Sequence, residues 1–481
     1  VKLFSPALAL LIAWSGGVGA RLEAAPTERP NIILIVADDL GYGDVGFHGS
    51  TQIATPNLDR LAASGVRFAQ GYVSAPVCSP SRAGLLTGRN QVSFGYDNNL
   101  AEAQPGFDPE FGGLPVKERT IADRLRARGY VTGLIGKWHL GDRPQFHPLR
   151  RGFDEFWGFL GGGHSYFPTV AAGQPEPKLE CNFGPVGPIT YLTDDLTDQN
   201  IAFIRRHRDR PFFLYAAYNA PHSPMHARPE DLARFAHIPD RARRTYCAMV
   251  ARFDHQIGRL LDALRETGLE EKTIVVFLSD NGGPVDQNAS LNAPLNGQKG
   301  TLLEGGVRVP FLLRWPARLP AGVVYEPAVS ALDLAPTFLA AAGAAPGDLT
   351  GLDGVDLTPH LTGAHAAAPH RELFWRFTVS AALRDGDWKL VRLPDRLPML
   401  FNLRTDASEQ RDVALTELER TRAMLARLGD WDVRLPHPVF LEGAVWKRRQ
   451  LNLYDAQFPL VQPARDGVPR LVSTQETNGA N

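Results

Sequence analysis

Cysteine is scarce, with three residues in 481. A disulfide-built scaffold is excluded, so the chain must be held by a buried core. An excess of either charge is also missing. There are 51 Lys and Arg against 52 Asp and Glu, a formal net charge of −1. That excludes nucleic-acid binding driven by bulk charge, and any anionic ligand must be held by local cations. No stretch beyond the first twenty or so residues is apolar for long enough to span a bilayer. Internal repeats are absent. What the chain does have is apolar side chains, 44% against 21% charged. This suits one large domain plus a smaller one and excludes global disorder.

The ends differ from the rest. Val1-Lys2, an apolar stretch from Leu3 to Trp14 and small residues from Ser15 to Ala20 have the layout of a secretory signal peptide over 1–20. Val18-x-Ala20 is the expected cleavage site. Pro6 and the glycines argue against an uncleaved anchor. The expectation is an exported protein, periplasmic or secreted, or lysosomal if eukaryotic, with no stable membrane insertion after cleavage. Residues 457–481 are polar and are expected to form a loose tail.

Four apolar runs end in polar residues. Asn31–Ala37 stops at Asp38-Asp39, and Thr273–Leu278 stops at Ser279-Asp280-Asn281. Tyr130–Ile135 runs into Gly136-Lys137-Trp138-His139, and Pro211–Ala216 runs toward Asn219 and His222. Continuous apolar runs alternating with helical patterns predict an α/β fold with a largely parallel sheet covered on both faces. Ligands collect at the carboxyl ends of such strands, where all four polar groups fall.

The stretch Ala75-Pro-Val-Cys78-Ser79-Pro80-Ser81-Arg82 carries the nucleophile candidate. Ser79 is the expected helix N-cap and Pro80 the first helical residue. Cys78 then lies at the positive end of a helix, with Arg82 about one turn in. Asp38, Asp39, Asp280 and Asn281 form an all-oxygen set suited to a hard cation. Two carboxylates ~4 Å apart repel by about 4 kcal/mol at an effective dielectric of ~20, so three are expected to need a cation or a proton. A thiolate is a poor ligand for such an ion, so Cys78 is expected to be oxidised to an oxygen-bearing group.

These residues resemble the type I sulfatase family, arylsulfatase and N-acetylgalactosamine-6-sulfatase-like, of the alkaline-phosphatase-like superfamily. Cys78-Ser-Pro-Ser-Arg82 fits the family's C-x-P-x-R signal, which a formylglycine-generating enzyme reads. Gly129–His139 fits a second signature, and Gly297–Pro310 continues the likeness. The resemblance implies a catalytic α/β domain over 28–365 and a smaller C-terminal α+β subdomain with an antiparallel sheet over 370–450. It implies formylglycine (3-oxoalanine) at position 78, and one Ca²⁺, in preference to Mg²⁺, held by Asp38, Asp39, residue 78, Asp280 and Asn281. Arg82 would orient residue 78, Lys137 and His139 would hold the hydrated aldehyde, and His222 and Lys299 would hold the sulfate and the leaving oxygen. The implied activity is release of sulfate from a sulfated carbohydrate or aryl sulfate. Two alternatives stay open: a phosphomonoester or phosphonate ester hydrolase on the same fold, and a sulfated-glycan-binding protein with unmodified Cys78.

The Gly/Pro-rich stretch from Phe153 to Asp194 is an expected pocket wall, with His164 and Tyr166 as substrate contacts and Asp97 on another rim. Cys181 and Cys247 are expected to be unpaired, and Asn288-Ala-Ser290 is a lone glycosylation sequon. Short runs from Leu373 to Leu403 predict the antiparallel sheet, with a helix over 416–428.

Overall fold

The computed structural model describes Val1, residues 29–100, 109–168, 178–394 and 396–459, and the backbone of 461–463 and 469–471. The expected leader lies outside the described residues apart from Val1. No helix among the described residues is long and apolar enough to cross a membrane.

The main sheet contains β1 (Asn31–Ala37), β2 (Val66–Phe68), β3 (Val131–Lys137), β4 (Glu155–Phe159), β5 (Glu180–Cys181), β6 (Gly184–Pro185), β7 (Phe212–Ala217), β8 (Thr273–Ser279), β9 (Phe311–Arg314) and β10 (Val323–Tyr325). Their order is β10-β2-β9-β8-β1-β7-β3-β4-β5-β6. The central strands β8, β1, β7, β3 and β4 are mutually parallel, and antiparallel β9 and β5 flank them. The sheet is therefore mixed but mostly parallel.

β1 shows why its sequence is apolar without alternation. Ile32, Leu34 and Val36 enter one core cluster, while Ile33, Ile35 and Ala37 enter another on the opposite face. Helices α1 (Pro56–Ala63), α4 (Leu192–Arg206) and α5 (Arg241–Glu266) pack on the second face. Helices α2 (Cys78–Thr87), α3 (Ile121–Arg126) and α6 (Leu334–Ala341) cover the first. A strand with both faces covered must be hydrophobic at every position.

The smaller unit is a meander of β11 (Glu372–Phe377), β12 (Ser380–Asp385), β13 (Trp388–Arg392) and β14 (Met399–Asn402). Helix α7 (Leu418–Asp432) packs on it and extends past the expected end. Helix α8 (Ala444–Gln457) was not anticipated. In the expected tail, Val461–Pro463 pairs with Pro469–Leu471; 464–468 and 472–481 lie outside the described residues. Cys181 is exposed, Cys247 is buried, and neither is in a disulfide.

Candidate active site

The carboxyl ends of β1, β8, β3 and β7 deliver Asp38-Asp39, Asp280-Asn281, Lys137 and the His222 loop to one place. Backbone bonds fix the ends: Asp38 N–H donates to Ala220 O at 3.1 Å, and Asp280 N–H to Ala37 O at 3.0 Å. Asp39 (φ 67°) and His139 (φ 57°) occupy the left-handed region, which costs a non-glycine residue about 1–2 kcal/mol. Such strain persists where the surroundings dictate it, commonly at functional sites. Gly136 is needed where β3 meets β7, because a Cβ there would lie 1.9 Å from Ala217 O.

Cys78 is the first residue of α2, and Val77, in extended conformation, is the cap. This corrects the expectation that Ser79 caps the helix. The Ser79 hydroxyl instead donates to His139 O at 2.7 Å and lies 2.7 Å from Tyr96 OH. The helix therefore starts two residues earlier than expected, and Ser79, inside its first turn, ties it to the His139 turn. Burial pushes the Cys78 thiol up to about 12, against the pull of Lys137 and Lys299. Near neutral pH the unmodified side chain is a thiol, not a thiolate, and a weak nucleophile and metal ligand.

Around it, charges pair closely. Lys137 Nζ lies 2.6 Å from Asp38 Oδ2, and Lys299 Nζ lies 2.7 Å from Asp39 Oδ1 and 3.1 Å from Cys78 Sγ. Arg82, four residues along α2, places Nε and Nη2 each 2.8 Å from Asp280 Oδ2, with Asp38 at 3.9 Å. Its Nη1 donates to Lys137 O and Tyr215 OH, each at 3.2 Å. Burial would raise the Asp38 carboxyl, but Lys137, with His222 and Arg82, holds it well below the usual range. Burial and the Asp38 charge push Asp280 up to about 7. Burial, with Lys137 and Arg82, drives His139 well below the ordinary histidine value, so its imidazole is neutral.

The expectation that three carboxylates need a cation or a proton is met in part by the chain itself, because Arg82, Lys137 and Lys299 pair with Asp280, Asp38 and Asp39. The fit to a cation rests on donor placement. Ligand atoms of Asp38, Asp39, Cys78 and His222 lie within 4.8 Å of one another. Asn281 turns its Nδ2 to Asp39 Oδ1 at 2.7 Å, while its buried Oδ1 has no partner. A buried oxygen without a partner, on an amide that touches Asp39, leaves a donor free for a hard cation. Asp280 stands beside this group, with Oδ2 taken by Arg82.

His222 follows the Ala220-Pro221 turn, with Nδ1 2.5 Å from Ser223 O and Nε2 3.6 Å from Asp39 Oδ2. A carbonyl only accepts, so Nδ1 carries the proton and Nε2 faces the site. Tyr166, expected in the pocket wall as a substrate contact, is fully buried. Its hydroxyl reaches Asn219 O at 2.7 Å and His222 O at 2.9 Å, so it props the His222 loop from beneath. Asp97 is not at the rim either, because Arg376 of β11 holds its carboxylate at 2.6 Å. His164 is buried against Phe159, with Nδ1 on Ser165 O at 2.7 Å. The Asn288 sequon is structural: this buried amide donates to Asp39 O at 3.3 Å.

How the Lys299 turn is held could not be read from the chain. Glu304, Lys389 on β13 and Glu409 are all fully buried. Lys389 Nζ lies 2.9 Å from Glu304 Oε1 and 3.0 Å from Glu409 Oε1. Glu409 Oε2 accepts Glu304 N–H at 2.6 Å, and Tyr72 OH donates to Glu304 Oε2 at 2.7 Å. Glu304 is 85 residues from Lys389 and 105 from Glu409, a separation that leaves no local pattern.

The sulfatase family model matches residues 30–344, about two thirds of the chain, and includes Asp38, Asp39, Cys78, Arg82, Lys137, His139, His222, Asp280, Asn281 and Lys299. The chain belongs to the sulfatase family. This sulfatase is 38% identical to N-acetylgalactosamine-6-sulfatase of Canis lupus familiaris, over 74% of this chain and 69% of that protein. It is 38% identical to arylsulfatase A of Homo sapiens, over 76% and 73% respectively. Among solved structures, the crystal structure of Ps i-CgsB in complex with k-i-k-neocarrahexaose matches with a TM-score of 0.81 at 39% identity, covering 88% of this chain and 98% of that one. Phosphonate monoester hydrolase of Agrobacterium radiobacter, at 21% identity and a TM-score of 0.62, shares the fold.

Proposed function

We propose that this sulfatase releases inorganic sulfate from a sulfated carbohydrate, using a formylglycine made from Cys78 and a bound Ca²⁺. The supporting observation is a buried Cys78 in a C-x-P-x-R motif at a helix start, with its Sγ 3.4 Å from Asp38 Oδ1 and 3.1 Å from Lys299 Nζ. Asp38, Asp39, Asp280 and Asn281 Oδ1 would hold the ion together with an oxygen on residue 78. A hydrated aldehyde at position 78 would supply a hydroxyl nucleophile, and the ion would supply charge stabilisation at the sulfuryl oxygens.

The chain's own residues perform the remaining work. Lys137 and Lys299 carry the positive charge that an SO₃ group needs, in a water-poor setting where each is worth more than in solvent. Arg82 fixes Asp280 and the β3 end through Lys137 O. Neutral His139, with a buried Nδ1 that has no partner, is able to take a proton. His222, with Nδ1–H locked on Ser223 O, turns Nε2 to the site; once doubly protonated, it would pass the Nε2 proton to the leaving alcohol oxygen and return to the neutral Nδ1–H form. Two similar proteins support the carbohydrate class: N-acetylgalactosamine-6-sulfatase is named for a sugar sulfate, and Ps i-CgsB was crystallised with k-i-k-neocarrahexaose.

Mass analysis of the Cys78 peptide from the native host, together with sulfate release from sulfated sugars and from matched aryl sulfate and aryl phosphate, tests the reading. Sulfur retained at full occupancy in active enzyme, or a clear preference for phosphate, overturns it. Cleavage at Val18-x-Ala20 and export complete the proposal. Both are checked by the N-terminal sequence of the exported protein.

A further inference from the structure

Asn292 takes no part in the chemistry above, yet its side chain joins three turns of the site. These are residues 39–42 after β1, 280–283 after β8, and 297–299. They carry Asp39, Asp280 with Asn281, and Lys299. Asn292 is 3% exposed. Its Oδ1 accepts Gly283 N–H at 3.0 Å and Tyr42 N–H at 3.4 Å. Its Nδ2 donates to Gly283 O at 2.8 Å and to Gly297 O at 3.1 Å. The amide therefore spends both acceptor and both donor positions on main chain, and only this orientation of it satisfies all four partners.

The backbone around Asn292 is fitted to the same segment. A Cβ on Gly41 would lie 2.4 Å from Leu291 O, on Gly43 2.5 Å from Ala293 O, and on Gly283 2.2 Å from Ser290 Oγ. None of these three glycines has a positive φ, so close approach, not turn conformation, excludes a side chain there. Gly43 N–H also donates to Leu291 O at 2.9 Å, and Lys299 N–H to Gly283 O at 3.4 Å. The far side of the Lys299 turn is held separately, by Glu304 and by Tyr454 of α8, whose hydroxyl accepts Leu302 N–H at 2.7 Å. What the three turns bring together is tight: Asn281 Nδ2 and Lys299 Nζ each lie 2.7 Å from Asp39 Oδ1. A shift of about 1 Å in one turn would break that arrangement.

We propose that Asn292 is a positioning residue: its amide fixes the spacing of Asp39, Asn281 and Lys299, and so sets the affinity of the site for a divalent cation. It touches none of these side chains and acts through their main chain. This rests on the sulfatase reading with bound Ca²⁺, and names what preorganises its donor set.

The test compares full-length wild type, Asn292→Ala and Asn292→Asp after stripping with EGTA. Leu428→Ala, in the core under α7, controls for lost stability alone. The first measurement is hydrogen exchange without metal, read by mass spectrometry. Asn292→Ala should speed exchange about tenfold in all three turns together. Asn292→Asp keeps the acceptor but sets an oxygen against Gly283 O and Gly297 O, so its effect should centre on 297–299. The second measurement is calorimetric titration with Ca²⁺. Both Asn292 variants should bind about tenfold more weakly than wild type, and Leu428→Ala should bind as wild type does despite a lower melting temperature. Exchange that is unchanged, or raised equally throughout the protein, refutes the proposal. So does wild-type Ca²⁺ affinity in Asn292→Ala, which would make Asn292 a structural residue only. If Asn292→Ala does not fold, Asn292→Asp decides both measurements. If wild type itself binds no Ca²⁺, the cation reading fails on its own; linked exchange across the three turns then sustains the positioning role, and its absence refutes it.

Discussion

Lys389→Met isolates the charge cluster behind the Lys299 turn. Lys389 is the shared cation of Glu304 and Glu409, at 2.9 and 3.0 Å, and all three are fully buried. Methionine fills a similar volume but leaves two carboxyls facing each other. Removing one partner of a buried ion pair costs about 3–5 kcal/mol. Part of that cost can be relieved by a proton. Burial and the Glu304 charge already push Glu409 up to about 7 in the intact protein, against Lys389; without Lys389 it rises further. A carboxyl whose folded pKa exceeds its unfolded value binds more protons when folded, so stability falls as pH climbs from the unfolded to the folded pKa. The variant should therefore lose the full amount at about pH 8 and clearly less at about pH 5. Urea unfolding followed by circular dichroism at both pH values measures this. The Lys389→Met/Glu304→Gln/Glu409→Gln combination should recover most of the loss, since no buried charge is left unpaired. A loss under about 1 kcal/mol at high pH, or one independent of pH, would refute the reasoning.

Cys78→Ala should fold with a melting temperature close to wild type and lose all measurable sulfate release; turnover near wild type contradicts the mechanism. Tyr166→Phe removes the hydroxyl that holds Asn219 O and His222 O. It should cost about 1–2 kcal/mol of stability and lower kcat about tenfold through misplacement of His222, read by denaturation and steady-state kinetics. Glu442 is pushed up to about 7 by burial, opposed by Lys447, so Glu442→Gln should stabilise by up to about 3 kcal/mol above pH ~7 and by little near pH ~4. Equal stabilisation at both ends of that range would show that the carboxyl is not held protonated. Chelation with EGTA should lower both activity and melting temperature, with Ca²⁺ restoring both; indifference to chelator argues against a bound ion.

Much of the site could be read directly from the chain. Apolar runs such as Asn31–Ala37 announce strands covered on both faces, and residues just beyond such strands lie at one edge of a parallel sheet. Asp38, Asp280, Lys137 and His222 were therefore bound to converge, whatever the intervening loops did. The C-x-P-x-R stretch likewise placed Cys78 and Arg82 one helical turn apart. Only the tertiary structure decided the environment of each group. Val77 rather than Ser79 caps α2 because Ser79 finds better partners in Tyr96 and His139 O. Tyr166 looked like a substrate contact and Asp97 like a rim residue because polar side chains in loops usually face water. Here two carbonyls and an arginine from a strand 279 residues away claim them instead. The carboxylates are balanced by Arg82, Lys137 and Lys299, and the Lys299 turn is held by Lys389 and Tyr454. Secondary structure follows from periodicity within a dozen residues, so the sequence displays it. Burial, charge compensation and pKa depend on atoms brought together across hundreds of residues, and no local pattern encodes them.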